Sequence, residues 1–134
     1  MKLVLITAIA LFIAIISFSF AGKHYDANDP RRLEILFLGH QNKHHNSELL
    51  ADIVTKDFFK QGINITYTTN PNDLKEDVLN GYDGLILYAN YDSISKPQET
   101  ALLNFVKNGK GFIPLHCASH CFRNSPDVVE LIGG

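Results

Sequence analysis

A chain of 134 residues with 46% apolar content is long enough for one domain with a buried core and too short for several. Its formal charge of −2, from 12 basic and 14 acidic side chains with no basic run, lacks the footprint of a nucleic-acid binder, so no nucleic-acid partner is expected. Internal repeats and low-complexity tracts are absent.

The chain begins MKLVLITAIALFIAIISFSFAG: one Lys, then an almost unbroken apolar run closing on Ser19-Phe20-Ala21. Small residues stand at the two positions that an A-x-A-type cleavage needs. Residues 1–21 are therefore expected to be a secretory signal peptide. An uncleaved anchor is the alternative for a run this long, but no stop-transfer cluster follows it. The expected location is periplasmic or secreted, with membrane contact through this segment only. No Cys follows the run, so lipid attachment is not indicated. Residues 22–31, GKHYDANDPR, read as a polar linker. Export permits disulfides, yet Cys117 and Cys121 lie four residues apart. On a helix they share a side, and regular helix seldom supplies the Cβ geometry a disulfide needs. No disulfide is expected.

Strands and helices then alternate. LEILFL (33–38) is a short apolar run of the kind buried on both faces. NSELLADIVTKDFFKQG (46–62) follows as a helix: Asn46 or Ser47 caps it, Glu48 sits in its first turn, and Gly62 ends it. Leu49, Leu50, Ile53, Val54 and Phe58 put its apolar residues on one side. INITYTT (63–69), β-branched and aromatic, is a strand. NPNDLKEDVLNG (70–81) predicts a short capped helix stopped by Asn80-Gly81. YDGLILYAN (82–90) is another buried strand. SKPQETALLNFVKNG (95–109) opens with Ser95 and Gln98 as a capping box and closes on Gly109. GFIPLH (111–116) is the fourth strand, and SPDVVELIGG (125–134) a helix with Ser125 as cap and Pro126 at its first position.

This order, βαβαβαβα with short connections, predicts an α/β fold: a three-layer, mostly parallel open sheet with helices on both faces, flavodoxin-like. Pro114 cannot donate to a sheet ladder, so a bulge is expected in the fourth strand. The sequence stops at Gly133-Gly134, one strand short of the usual pattern, and a domain truncated at its C-terminus is expected. Phe58, Phe59, Phe105 and Phe112 read as core, and Tyr88 as a core aromatic.

Ligands of open parallel sheets bind beyond the carboxyl ends of the strands. Of the six histidines, five follow a strand: His40, His44 and His45 after the first, His116 and His120 at or after the fourth. Asn90, Tyr91 and Asp92 follow the third. Three chemistries compete for this rim. Imidazoles suit zinc, copper, iron and nickel, so His44 or His45 with His116, joined by His120 or Asp92, would make a metal site, although the spacing fits no firm signature. Cys117, at the start of a helical turn near histidines, would make a nucleophile; a small buried thiol is the plainer reading, and Cys121 is structural. A neutral polar pocket of His45, Asn90, Tyr91, His116 and His120 would bind a hydroxyl-rich ligand or move protons. His116, ending a buried strand, is the best single candidate. His40 and His44 are expected to be solvated loop residues. No cofactor is assigned.

The stretches RRLEILFLGHQNKHHNSELL, YDGLILYAN and GKGFIPLHCASHCF together resemble the ThuA-like (trehalose utilisation) domains, from residue 32 to the end. The third stretch is the most specific. The resemblance implies a class I glutamine-amidotransferase-like fold, a connection to sugar metabolism, a small-molecule carbohydrate ligand, and a pocket at His45, Asn90 and His116. It also implies membership of a larger secreted protein with haem-binding or sugar-dehydrogenase-like modules as partners. Amidotransferases carry a Cys nucleophile at the turn after the strand. Here His116 takes that position and Cys117 comes one residue later, so their mechanism does not carry over. Domains of this family are longer than this chain.

Overall fold

A computed structural model describes residues 30–133; the expected signal peptide 1–21 and most of the linker 22–31 lie outside the described residues. Among the described residues no helix is long and apolar enough to cross a membrane.

Four strands, β1 (Leu33–Gly39), β2 (Ile63–Thr68), β3 (Gly84–Tyr88) and β4 (Gly111–Pro114), form one sheet in the order β2-β1-β3-β4. Every pairing is parallel. Helix α1 (Ser47–Phe59) joins β1 to β2, α2 (Glu76–Leu79) lies between β2 and β3, α3 (Lys96–Lys107) joins β3 to β4, and α4 (Pro126–Ile132) follows β4. The inner strands β1 and β3 are continuous apolar runs because helices cover both of their faces. Leu36, Leu38, Leu85 and Leu87 pack with Leu79 of α2, Leu102 and Phe105 of α3, and Val128 of α4. Phe37 and Ile86 point the other way, onto Ala51 of α1. The expected three-layer parallel fold is what the chain adopts.

Four local expectations are corrected. The stretch 70–81 is not one helix. Asn70 Oδ1 accepts from Asn72 N at 3.1 Å and caps a 3-10 turn at Pro71–Asp73; Leu74, fully buried, breaks the spiral before the four residues of α2. Pro114 needs no bulge, and the register runs unbroken from Gly84↔Gly111 to Leu87↔Pro114. Gly111 N and Leu115 N donate to Asp83 O and Leu87 O of the neighbouring chain segment. In a parallel pair alternate residues face the partner, so Pro114 lies at a position whose nitrogen points away from β3, at the sheet edge. Phe59 is not core: it is 59% exposed under the Arg32 guanidinium, which sits 4.1 Å from its ring centre. On α1, Leu50, Ala51 and Val54 face the sheet, whereas Leu49 and Ile53 are half exposed.

Asp83, just before β3, ties the lower end of the sheet together. It accepts from Arg31 Nη1 at 2.7 Å and Glu34 N at 3.0 Å, and Lys110 Nζ lies 3.6 Å away. The Arg31 guanidinium, foremost among these, holds the carboxyl well below the usual carboxylate range.

Candidate functional site at the strand ends

The chain passes from β1 through α1 to β2, then crosses back to β3 on the far side of β1. The carboxyl ends of β1 and β3 are thus the switch point, the place where doubly wound sheets bind ligands. Two groups of side chains stand there.

The first group joins the loop after β1 to the loop after β3. His40 Nδ1 and Asn90 Oδ1 are 2.7 Å apart. An amide oxygen only accepts, so Nδ1 donates, and the lone pair of neutral His40 is on Nε2. Tyr91 stacks on the His40 ring at 4.6 Å and on Phe122 at 6.4 Å. The Tyr91 hydroxyl donates to Gly39 O at 3.1 Å and Thr69 O at 2.5 Å, joining the ends of β1 and β2 to the loop after β3. Burial pushes its phenol pKa up, which keeps that donor protonated. Sequence reasoning left His40 as a solvated loop residue; the structure holds it half-buried by a hydrogen bond and a ring stack.

The second group is aromatic. His45 and His116 rings lie 5.0 Å apart with planes crossed at 74°. Tyr88 packs against both, at 5.8 Å from His45 and 6.1 Å from His116. Local backbone chemistry places each of them. Asn42 and His45 exchange backbone hydrogen bonds, and Asn42 Oδ1 accepts from His44 N, closing a tight turn that turns His45 inward and leaves His44 exposed. Gln41 Oε1 accepts from Ser47 N and Asn46 Oδ1 from Leu49 N, which seats this turn on the start of α1. At the other wall, β4 keeps its pairing to Leu115, while Ala118, fully buried, anchors a 3-10 turn over His116–His120. Between these two restraints His116 takes φ +49, in the left-handed region that non-glycine residues rarely adopt. Phe122, fully buried in the core, shares this conformation at φ +56.

His45 Nδ1 is buried and has no hydrogen-bond partner among the described residues. Burial first, then the imidazoles of His116, His44 and His40, pull the His45 pKa down, so the ring is neutral at physiological pH.

Of the residues expected at the site, His45 and His116 meet. Asn90 and Tyr91 stand on the same rim with His40. His120 is exposed at the end of its turn, and Asp92 pairs with Arg123 at 3.3 Å. The three- or four-ligand metal set is therefore not assembled: among the described residues no group of three or more His, Cys, Asp or Glu could hold an ion. Cys117 and Cys121 are free thiols; burial raises the Cys117 pKa and pushes Cys121 up to about 12. Among the described residues no imidazole acts on either thiol to lower its pKa. Tyr88, taken from the sequence as core, is half-buried and completes the aromatic group; its position at the last residue of β3 was the available signal.

The fold is that of a flavodoxin-like α/β domain, and His40, His45 and His116 stand at its strand ends. The ThuA family model, described as trehalose utilisation, matches residues 34–134, and the chain belongs to that family. Its fold is similar to that of a ThuA-like protein from Bacteroides uniformis, with a TM-score of 0.62 and 21% identity over 84% of this chain. The chain spans 48% of that protein's length. Among curated proteins none matches this chain.

Proposed function

We propose that this is an exported carbohydrate-handling domain, whose ligand is a disaccharide or its keto derivative lying at the strand ends against His45, Tyr88 and His116. The observation that carries this reading is the contact of His45 with His116, 5.0 Å apart at the ends of separate segments, in a chain of the trehalose utilisation family. A sugar is neutral and rich in hydroxyls. It calls for imidazole, amide and phenol groups rather than ion pairs, and those are the groups on this rim. The exposed His116 is the proton-transferring residue, neutral His45 accepts from a hydroxyl, and Asn90, Tyr91 and His120 belong to the surrounding wall.

The non-catalytic reading, a sugar-binding module of a larger secreted protein beside haem-binding or sugar-dehydrogenase-like modules, uses the same rim. A Cys117-dependent hydrolase is the least supported alternative, because the thiol is raised. Calorimetry and turnover with trehalose and its keto derivative separate these readings. Turnover that disappears in a folded His116→Asn variant supports catalysis; binding without turnover supports the module. Failure to bind either sugar refutes the carbohydrate reading. Rapid iodoacetamide labelling of Cys117 with loss of turnover would revive the hydrolase. For export, N-terminal sequencing of the recovered protein is expected to begin at Gly22, and recovery with Met1 intact would contradict cleavage.

A further inference from the structure

We infer that the Asn42–His45 turn is a proton-operated latch: acid charges the imidazole cluster in which His45 sits, and the turn comes away from the strand ends. The cluster is drawn from the loops after β1 and β4. The His45 ring lies 5.0 Å from that of His116 and 6.4 Å from that of His44, and His40 is close enough to act on it. Neutral rings pack edge to face at such distances. An imidazolium spreads its charge over both nitrogens, so repulsion depends on the separation of the rings, whichever nitrogen faces the neighbour. Like charges at this range oppose each other's protonation. No counter-charge relieves them. His45 is faced by His44 on its own turn, His40 at the end of β1, Tyr88 at the end of β3 and His116 after β4. Lys43, exposed on the same turn, is itself cationic. Glu48 of α1 is exposed, Asp92 pairs with Arg123, and neither acts on His45. His45 Nδ1 is moreover buried with no hydrogen-bond partner among the described residues. A charged ring would be left there without an acceptor, whereas in an opened turn water accepts from it.

The turn is the part that gives. His116 is held between the pairing of β4 and the buried Ala118. The turn rests on two main-chain bonds, Asn42 N to His45 O at 3.1 Å and His45 N to Asn42 O at 3.2 Å, and Lys43 and His44 at its tip are exposed. Segments with few buried contacts open at the lowest cost. Opening reaches α1 as well, because Gln41 Oε1 and Asn46 Oδ1, on the flanks of the turn, accept from Ser47 N and Leu49 N. The closed turn holds the His45 pKa below the ordinary imidazole value of 6.5, through burial first and then the neighbouring imidazoles. The open turn restores that value, so below pH 6.5 the open form binds more protons than the closed one. Closure is therefore unaffected above pH 6.5 and weakens as pH falls through it. The rim stands assembled at neutral pH, and mild acid dismantles it. This latch does not rest on the carbohydrate reading, since the proton is its only ligand.

The test follows the full chain in mild non-ionic detergent, without sugar, by nuclear magnetic resonance from about pH 8 to about pH 5. Ring shifts of labelled histidines give the pKa of each imidazole. Amide exchange, divided by the rate of the unstructured chain at the same pH, gives the protection of His45 N and Ser47 N. The His45 ring is expected to titrate below 6.5. Protection of both amides is expected to fall at least about tenfold across the range, while Leu115 N, bonded to Leu87 O in the sheet, keeps its own. His45→Gln, uncharged throughout, is expected to hold the protection of Ser47 N within about twofold. Asn tolerates a left-handed φ, so His116→Asn keeps its turn and is expected to lessen the fall. Circular dichroism checks each fold, and the parent's own titration decides if a variant unfolds. A His45 ring that titrates at or above 6.5, or a turn equally protected at both ends of the range, overturns the latch. So does loss of protection at Leu115 together with the turn, which is global unfolding, or a fall that persists in folded His45→Gln. Sugar binding is read separately by calorimetry at neutral pH, so the latch and the functional reading stand or fall independently.

Discussion

Replacing Tyr91 with Phe separates what the rim does for stability from what it does for ligands. The hydroxyl donates to Thr69 O at 2.5 Å and to Gly39 O at 3.1 Å. The ring stacks on His40 and Phe122, and Phe preserves those contacts. What is lost is one donor serving two carbonyls. Gly39 is buried and Thr69 exposed, so water replaces the donor at only one of them. The net loss is about 1–2 kcal/mol. In a domain of this size each kcal/mol lowers Tm by roughly 4–8 °C. Thermal unfolding followed by circular dichroism compares Tyr91→Phe with Tyr82→Phe, whose hydroxyl makes no hydrogen bond among the described residues. A fall of roughly 4–16 °C in the first and almost none in the second is expected. A Tyr91→Phe Tm within about 1 °C of the parent would refute the claim that this hydroxyl holds the strand ends together.

Three further outcomes follow from the packing and charges. An added Cβ at Gly39 would lie 2.6 Å from Ser47 Oγ and from Tyr67 Cε2, so Gly39→Ala should cost about 1–3 kcal/mol by chemical denaturation; an unchanged midpoint would contradict this crowding. Asp83 has a depressed folded-state pKa, so its stabilising effect is present in full above the ordinary carboxylate value of 3.8 and drains away as pH falls below it. Asp83→Asn should therefore be about 1 kcal/mol less stable than the parent near neutral pH, with the gap closing below about pH 4; a gap independent of pH would contradict the ion-pair account. At φ +49, His116→Gly relieves left-handed strain and should hold or raise stability by about 1 kcal/mol while removing the imidazole; a large fall in Tm would mean that His116 is structural.

The sheet and its helices were legible because the inner strands carry their own signature. The first strand from Leu36 onward and nearly all of GLILY are buried on both faces, and the turn residues Gly62, Gly109 and Ser125 punctuate the elements where the sequence suggests. The stretch 70–81 was misread because helix-capping residues such as Asn70 also cap 3-10 turns, and only the burial of Leu74 decides between them. The bulge at Pro114 was expected because a sequence does not reveal which alternate nitrogens face a neighbour. At the rim, strand ends pointed to His45, Asn90 and His116, since parallel crossovers deliver those ends to one side. Partnership was not readable. That Asn90 takes His40 while His45 takes His116 depends on the turn Asn42–His45 and on the left-handed backbone at His116, both set by main-chain hydrogen bonds rather than by the rings themselves.

Nuclear Overhauser contacts between aromatic protons of the folded chain, assigned by selective labelling of His and Tyr, report the decisive geometry most directly. The account predicts cross-peaks linking His45 to His116 and both rings to Tyr88, with His40 connected instead to Tyr91. Cross-peaks from Tyr88 to Phe37 alone, with neither imidazole in contact, would mean that the strand ends do not converge and that no shared site exists.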